Sequence, residues 1–305
     1  MALPEFQKLT QNTTAVPEWA KFMKDGEFIS YYSTYKAKIY FDLFDEYTYP
    51  CAETGDLTYY VYDPVKHGAP ADRKYPVLMW LHGASNATDG IKCIMCCGAE
   101  QYASPKYQQL MGGGAYIIVP LANEKRLENG ELTGTWAKEY AAPVKGIYDQ
   151  VCAAHAANIG KKFVMGASAG GYFTWQMLED YTDFFDGAIP MASFYVPSDE
   201  ALDRISASGV QLIIAHGQHD ELADYNVCIL PRIDKLQSMP NCICFFPEWV
   251  YNGDGGISSV HYGIEMGQHC MINWMQANLM FDSGKPADER LPDGITGWIR
   301  AVCGA

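Results

Sequence analysis

The stretch Phe163-Val164-Met165-Gly166-Ala167-Ser168-Ala169-Gly170-Gly171-Tyr172 decides the fold. Its apolar start reads as the end of a buried strand, and Tyr172 to Leu178 carry helical periodicity with no proline. Between them stands Gly-x-Ser-x-Gly with Ser168 at the centre. Strand, sharp turn and helix in that order hold a serine proud of a sheet edge. Gly166 and Gly170 leave space where a Cβ would clash as the backbone doubles back. The helix that follows aims its first N–H groups at any negative charge forming near Ser168. A bare Gly-x-Ser-x-Gly also occurs in ordinary surface turns, so the flanking pattern carries the reading.

Outward from this turn, apolar runs and helical patterns alternate. Upstream, Leu57 to Asp63 is β-branched and aromatic and stops at Asp63-Pro64. Pro76 to Leu81 is a continuous apolar run ending in His82-Gly83-Ala84-Ser85, and Tyr116 to Val119 is another. Helical pattern is expected over Gln101 to Met111 and Trp136 to Ala157, with a polar loop over 121–135 between. Downstream, strands are expected at Gly187–Met191, Val210–Ala215 and Cys242–Phe246. Helices are expected at Tyr225–Gln237, from near His269 onward, and around Trp298. Near the start, Trp19 to Met23 suits a short helix after Pro17, while Ile39 to Asp45 fits strand or helix. The loop Asn252–Gly256 is glycine-rich. Alternation of this kind implies an α/β fold: one mostly parallel, doubly wound sheet flanked by helices. With no internal repeat and no linker-like stretch, residues 1–305 read as a single domain, with 1–50 as an N-terminal extension.

Composition narrows the classes. Hydrophobic residues make up 49% and charged residues 19%, enough apolar material for a packed core. The net charge of −14, with no Lys/Arg cluster, disfavours nucleic acid and anionic membranes as partners. No apolar run reaches the roughly 18 residues of a membrane span. The first residues show neither a basic n-region nor an apolar h-region, so a cytoplasmic protein is expected. Ten cysteines in a chain of this length fit a reducing compartment better than a disulfide framework. Cys242 and Cys244 alternate with Ile243 and Phe245 as small strand hydrophobes. Cys93-x-x-Cys96-Cys97 has metal-like spacing, but no second Cys/His pair at finger spacing follows, and no metal is expected.

Taken together, Tyr75-Pro-Val-Leu-Met-Trp-Leu-His-Gly83, Tyr116-Ile-Ile-Val-Pro120, Gly166-Ala-Ser-Ala-Gly-Gly171, His216-Gly-Gln-His-Asp220 and Gly267-Gln-His269 resemble the α/β-hydrolase superfamily. The resemblance is to its esterases similar to feruloyl esterases, polyhydroxybutyrate depolymerases and dienelactone-hydrolase-like peptidases. It covers about residues 57–282. It implies an α/β-hydrolase fold and a Ser, acid, His order along the chain.

On that reading Ser168 is the nucleophile, and a base must take its proton because a hydroxyl is too weakly acidic to attack unaided. Downstream lie His216, His219, His261 and His269. The family's placement, in a loop before a helix, favours His269; His261 is the rival and otherwise a pocket residue. His216 reads as a buried structural histidine. The family pattern His-Gly-x-x-Asp favours Asp220 as the acid over its neighbours Glu221 and Asp224. The backbone N–H groups of Ala84 and Ala169 are the expected oxyanion hole. No cofactor is expected to be required.

Selectivity is expected from residues 85–115, 121–136, 193–205 and 248–268, with 85–115 and 248–268 as the main pocket-forming insertions. They carry Trp136, Phe194, Tyr195, Trp249, Tyr251 and Tyr262. Trp136, Tyr195, Trp249 and His261 are the expected substrate contacts, though loop aromatics also serve plain packing. The substrate expected is a small-molecule carboxylic ester, with a preference for aromatic or phenolic groups. Acyl transfer, a prolyl-oligopeptidase-like serine peptidase and a non-catalytic binding protein of the same fold are the alternatives.

Overall fold

The computed structural model describes residues 40–251, 268–269, 271–281 and 283–304. The helix expected at Trp19–Met23 and the loop Asn252–Gly256 lie outside the described residues.

The strands are β1 (Asp45–Tyr49), β2 (Leu57–Tyr62), β3 (Tyr75–Leu81), β4 (Tyr116–Pro120), β5 (Lys125–Arg126), β6 (Leu132–Thr133), β7 (Ile159–Ala167), β8 (Gly187–Met191), β9 (Gln211–Ala215) and β10 (Cys242–Phe245). The main sheet has eight strands in the order β1-β2-β4-β3-β7-β8-β9-β10, and β5 and β6 form a separate small hairpin. From β4 to β10 every neighbouring pair is parallel, whereas β2 is antiparallel to both β1 and β4.

The apolar runs become the central strands because both of their faces are covered. β3 and β4 are buried at every position. Leu78 and Trp80 point to one core, with Ile117, Phe163, Met165 and Ile189, while Val77, Met79 and Leu81 point to the other, with Ile118, Val164, Ala188 and Leu212. Onto the first face pack the helices Pro105–Leu110, Met271–Gln276 and Gly294–Val302. Onto the second pack Ala141–Ala154, Ala169–Asp180 and Asp199–Ala207. Each large side chain so buried contributes about 1.5–3 kcal/mol. Tyr102 and Tyr107 tie the β3–β4 crossover to the helix Met271–Gln276 by donating to Met275 O (2.9 Å) and Gln276 O (2.6 Å).

Several helices differ from the sequence expectation, each for a local reason. Gln101–Met111 is two pieces, because Ser104 caps a new helix with Pro105 at its first position. Tyr225–Gln237 is broken into Tyr225–Cys228, a 3-10 turn at Leu230–Arg232 and Ile233–Ser238, around Pro231, which has no N–H to continue a ladder. The helix expected from Trp136 begins at Ala141, after a 3-10 turn at Lys138–Tyr140. The segment 193–205, expected to shape the pocket, instead runs into the Ser198-capped helix Asp199–Ala207, whose Leu202 and Ile205 join the core. The ambiguous stretch near residue 40 is a 3-10 turn, Phe41–Leu43, followed by β1.

From β3 the chain goes to β4 on one side and then returns to β7 on the other. Such a reversal opens a crevice at the carboxyl ends of the two strands. The C-terminal ends of β3 and β7 carry His82-Gly83-Ala84 and Ser168.

Candidate active site

Ser168 lies between β7, which ends at Ala167, and a helix that starts at Ala169. Its backbone is at φ 59° and ψ −119°, a conformation non-glycine residues rarely hold and which costs on the order of 1–3 kcal/mol. The turn is tight because strand and helix meet β3 closely. A Cβ on Gly166 would lie 2.6 Å from Leu81 O, and one on Gly170 would run into the same carbonyl. Ser168 N–H donates to Met191 O (3.0 Å), Ala192 N–H to Ala215 O (2.8 Å) and His216 N–H to Phe245 O (3.0 Å). These bonds lace together the carboxyl ends of β7, β8, β9 and β10.

Beside the elbow runs the loop after β3. A Cβ on Gly83 would sit 3.8 Å from Ser168 Cβ. His82 anchors the loop and is fully buried. Its Nε2 accepts from Ala122 N–H (3.0 Å), which leaves Nδ1–H to donate to Gly83 O (2.8 Å). Burial, the largest influence, holds this imidazole below its ordinary pKa. Along the loop, Gly83 N–H donates to Asn86 Oδ1 (3.1 Å), Ser85 N–H to Glu124 Oε1 (3.1 Å) and Ala87 N–H to Glu124 Oε2 (3.0 Å). Asn86 and Thr88 N–H groups bond to carbonyls of the same turn. Ala84 is exposed, and among the described residues its N–H meets no acceptor. Ala169 N–H stands at the head of the elbow helix. The two amides expected to receive an oxyanion thus follow the ends of β3 and β7, which are paired neighbours in the sheet.

Asp220 and His269 meet two strands further on, past the end of β9. His269 Nδ1 is 2.8 Å from Asp220 Oδ1 and 2.8 Å from Oδ2. Asp220 Oδ1 also accepts from the N–H groups of Leu222 (2.9 Å) and Ala223 (2.7 Å). The carboxylate is fully buried. An imidazole held this way keeps Nε2 as its proton acceptor. Ser168 Oγ makes no hydrogen bond among the described residues; in ligand-free sites such bonds are often long and tighten when substrate binds. β8 alone separates the strands that lead to Ser168 and to Asp220, a spacing of about 10 Å between their axes that loop side chains can span.

The neighbouring candidates have other positions. His216 is buried and donates from Nε2 to Ala223 O (2.7 Å), as a structural histidine would. Glu221 is not beside the imidazole. Its carboxylate accepts the main-chain N–H groups of Gln268 (3.0 Å) and His269 (2.9 Å). Asp224 caps the turn Tyr225–Cys228. His261 and Tyr262 lie outside the described residues.

Among the expected pocket aromatics, Trp136 is a packing residue. It is 3% exposed, its ring stacks on Phe173 (4.7 Å, 3°), and Nε1 donates to His82 O (2.9 Å). Trp136 thus supports the Gly83–Ala84 loop from below. Tyr195 donates its hydroxyl to Glu179 (3.0 Å), and Trp249 stacks on His219 (3.9 Å). Phe194 is 57% exposed and stacks on Tyr172 (5.3 Å, 14°), whose N–H bonds back to Ser168 O one helical turn away. Glu124, Asn86 and the amide-binding role of Glu221 were not foreseen from sequence. Their partners are backbone amides, which leave no pattern of residue types to read.

The strand order, the elbow and the position of Asp220 and His269 define an α/β-hydrolase fold. Among solved structures, the chain is similar to a thermostable esterase, with 19% identity and a TM-score of 0.59 over 76% of this chain. It spans 60% of that esterase's chain. It is also similar to the feruloyl esterase module from Clostridium thermocellum complexed with sinapinate, with 14% identity and a TM-score of 0.52 over 77% of this chain and 87% of that one. At these identities the likeness establishes the fold alone. No family model matches the chain, and no curated protein matches it in sequence. Among the described residues no helix is long and apolar enough to cross a membrane.

Proposed function

We propose that the protein is a serine hydrolase that cleaves carboxylic esters through an acyl-serine intermediate. The observation that carries this reading is the pair of 2.8 Å contacts from Asp220 to His269 Nδ1, two strands along the sheet from a serine in the elbow conformation. Ser168 Oγ attacks the ester carbonyl as its proton passes to His269 Nε2. The N–H groups of Ala84 and Ala169 receive the oxyanion, each such donor being worth about 3 kcal/mol in the transition state. His269 then gives its proton to the leaving alcohol, and acyl-Ser168 remains. Water, deprotonated by His269, attacks the acyl carbon and releases the acid with Ser168 regenerated.

A ring-bearing acyl or alcohol group is the preferred substrate. The exposed face of Phe194, stacked on Tyr172 near the elbow, supports this preference, since a further aromatic ring can pack against it.

The experiment is a panel of p-nitrophenyl and phenolic esters assayed with wild type and Ser168→Ala. Wild type turns over esters and is labelled by a fluorophosphonate, while Ser168→Ala loses at least about a thousandfold in kcat. Retained turnover in Ser168→Ala would mean another nucleophile. Cleavage of amino-acid anilides without ester turnover would point to a peptidase, and no turnover with no labelling to a binding protein.

A further inference from the structure

Two carboxylates outside the Ser-His-Asp set bind the two loops that carry the chemistry. Glu124 is buried, and each of its oxygens takes one N–H of the loop around Ala84, at Ser85 (3.1 Å) and Ala87 (3.0 Å). Ser85 needs such a hold, because its backbone is left-handed at φ 72° without being glycine. Glu221 does the same on the other side of the crevice, with one oxygen on Gln268 N–H (3.0 Å) and the other on His269 N–H (2.9 Å). Glu221 lies at the solvent rim, but its carboxylate is desolvated enough to raise its pKa, against the opposing pull of those two N–H bonds. Asp220, the adjacent charge, pushes the same way as desolvation.

We propose that Glu124 and Glu221 are positioning residues, Glu124 for the amide of Ala84 and Glu221 for the imidazole of His269. The assignment rests on the hydrolase reading above. A carboxylate suits this task because it offers acceptors only, and charge-assisted bonds to two N–H groups fix a loop in both position and tilt. By occupying Ser85 and Ala87, Glu124 leaves Ala84 as the loop amide open to an oxyanion. By holding the main chain of His269, Glu221 sets the point from which the imidazole reaches Asp220. Displacement of a reacting group by an ångström costs on the order of a hundredfold in rate. Neither carboxylate touches the reacting atoms.

The test uses Glu124→Gln and Glu221→Gln, in which one acceptor oxygen becomes an NH2 that cannot accept. Glu124→Asp and Glu221→Asp serve as charge-retaining partners. Turnover of a p-nitrophenyl ester is measured together with the low-field proton resonance of the His269–Asp220 bond and amide hydrogen exchange at residues 83–88 and 268–269. Both Gln variants should lose about tenfold to a hundredfold in kcat with KM within about twofold. The low-field proton should disappear in Glu221→Gln and persist in Glu124→Gln. Exchange should quicken at Ser85 and Ala87 in Glu124→Gln, and at residues 268–269 in Glu221→Gln.

Unchanged kcat in either Gln variant, or the same spectral change in both, overturns the proposal. So does failure of both the Gln and the Asp variant at one position to fold, which would make that glutamate a residue of the fold. If wild type hydrolyses no ester, the hydrolase reading fails. The resonance and exchange results then still decide whether each carboxylate holds its loop.

Discussion

Ser168 occupies a backbone conformation, φ 59° and ψ −119°, that no local preference would choose. Its neighbours hold it there: Met191 O takes its N–H, and Leu81 O closes in on both elbow glycines. At this scale the sequence was most informative where chemistry needs a fixed order of residue types. The turn at Ser168 and the meeting of Asp220 with His269 were legible because the elbow motif and the His-Gly-x-x-Asp pattern are written along the chain. The choice of Asp220 over Glu221 was correct as to contact, since only Asp220 meets the imidazole. What Glu221 does was illegible, because its partners are amides 47 and 48 residues away. Asp220→Asn should lower kcat by about ten-thousandfold while leaving the fold intact, because an amide leaves the imidazole in the wrong tautomer. A kcat within tenfold of wild type would remove Asp220 from the mechanism.

At the scale of elements, the meeting of β3, β7 and the elbow helix is the least forgiving joint. A methyl on Gly170 has the Leu81 backbone in its way, and backbone cannot step aside as a flexible side chain would. Gly170→Ala should therefore cost about 3 kcal/mol or more of stability, read from urea unfolding. A midpoint equal to that of wild type would show that the helix can back away from the strand. The central strands were readable because burial on both faces leaves unbroken apolar runs, as in Tyr75–Leu81 and Tyr116–Pro120. Helix boundaries were less so. Trp136 fits a helical pattern, yet its ring is committed to Phe173 and its N–H to His82 O, outside any helix. Tertiary partners overrode periodicity there.

Across the whole molecule, acid should weaken the fold earlier than carboxylates alone would dictate. Burial holds His82 and His216 below the ordinary imidazole range. The folded chain thus takes up these protons less readily than the unfolded chain, whose histidines titrate near about 6.5. The stability they supply is complete above that pH and is lost as pH falls through and below it. For His82 the physical reason is plain, since protonated Nε2 would point a hydrogen at Ala122 N–H. Glu221 shifts in the opposite sense, its raised pKa favouring the folded state as pH drops, but water at the rim screens it. The thermal midpoint should decline between about pH 7 and about pH 5, and a flat profile over that interval would contradict the assignment. The lacing of strand ends at Met191 and Ala215 has one more consequence. Because the ladder of β8, and not the connection after it, spaces the strands that lead to Ser168 and Asp220, residues 194–197 can be lengthened or exchanged as a cassette ahead of the Ser198 cap. Grafting there would reshape the surface beside Tyr172 while the two strand ends keep their spacing.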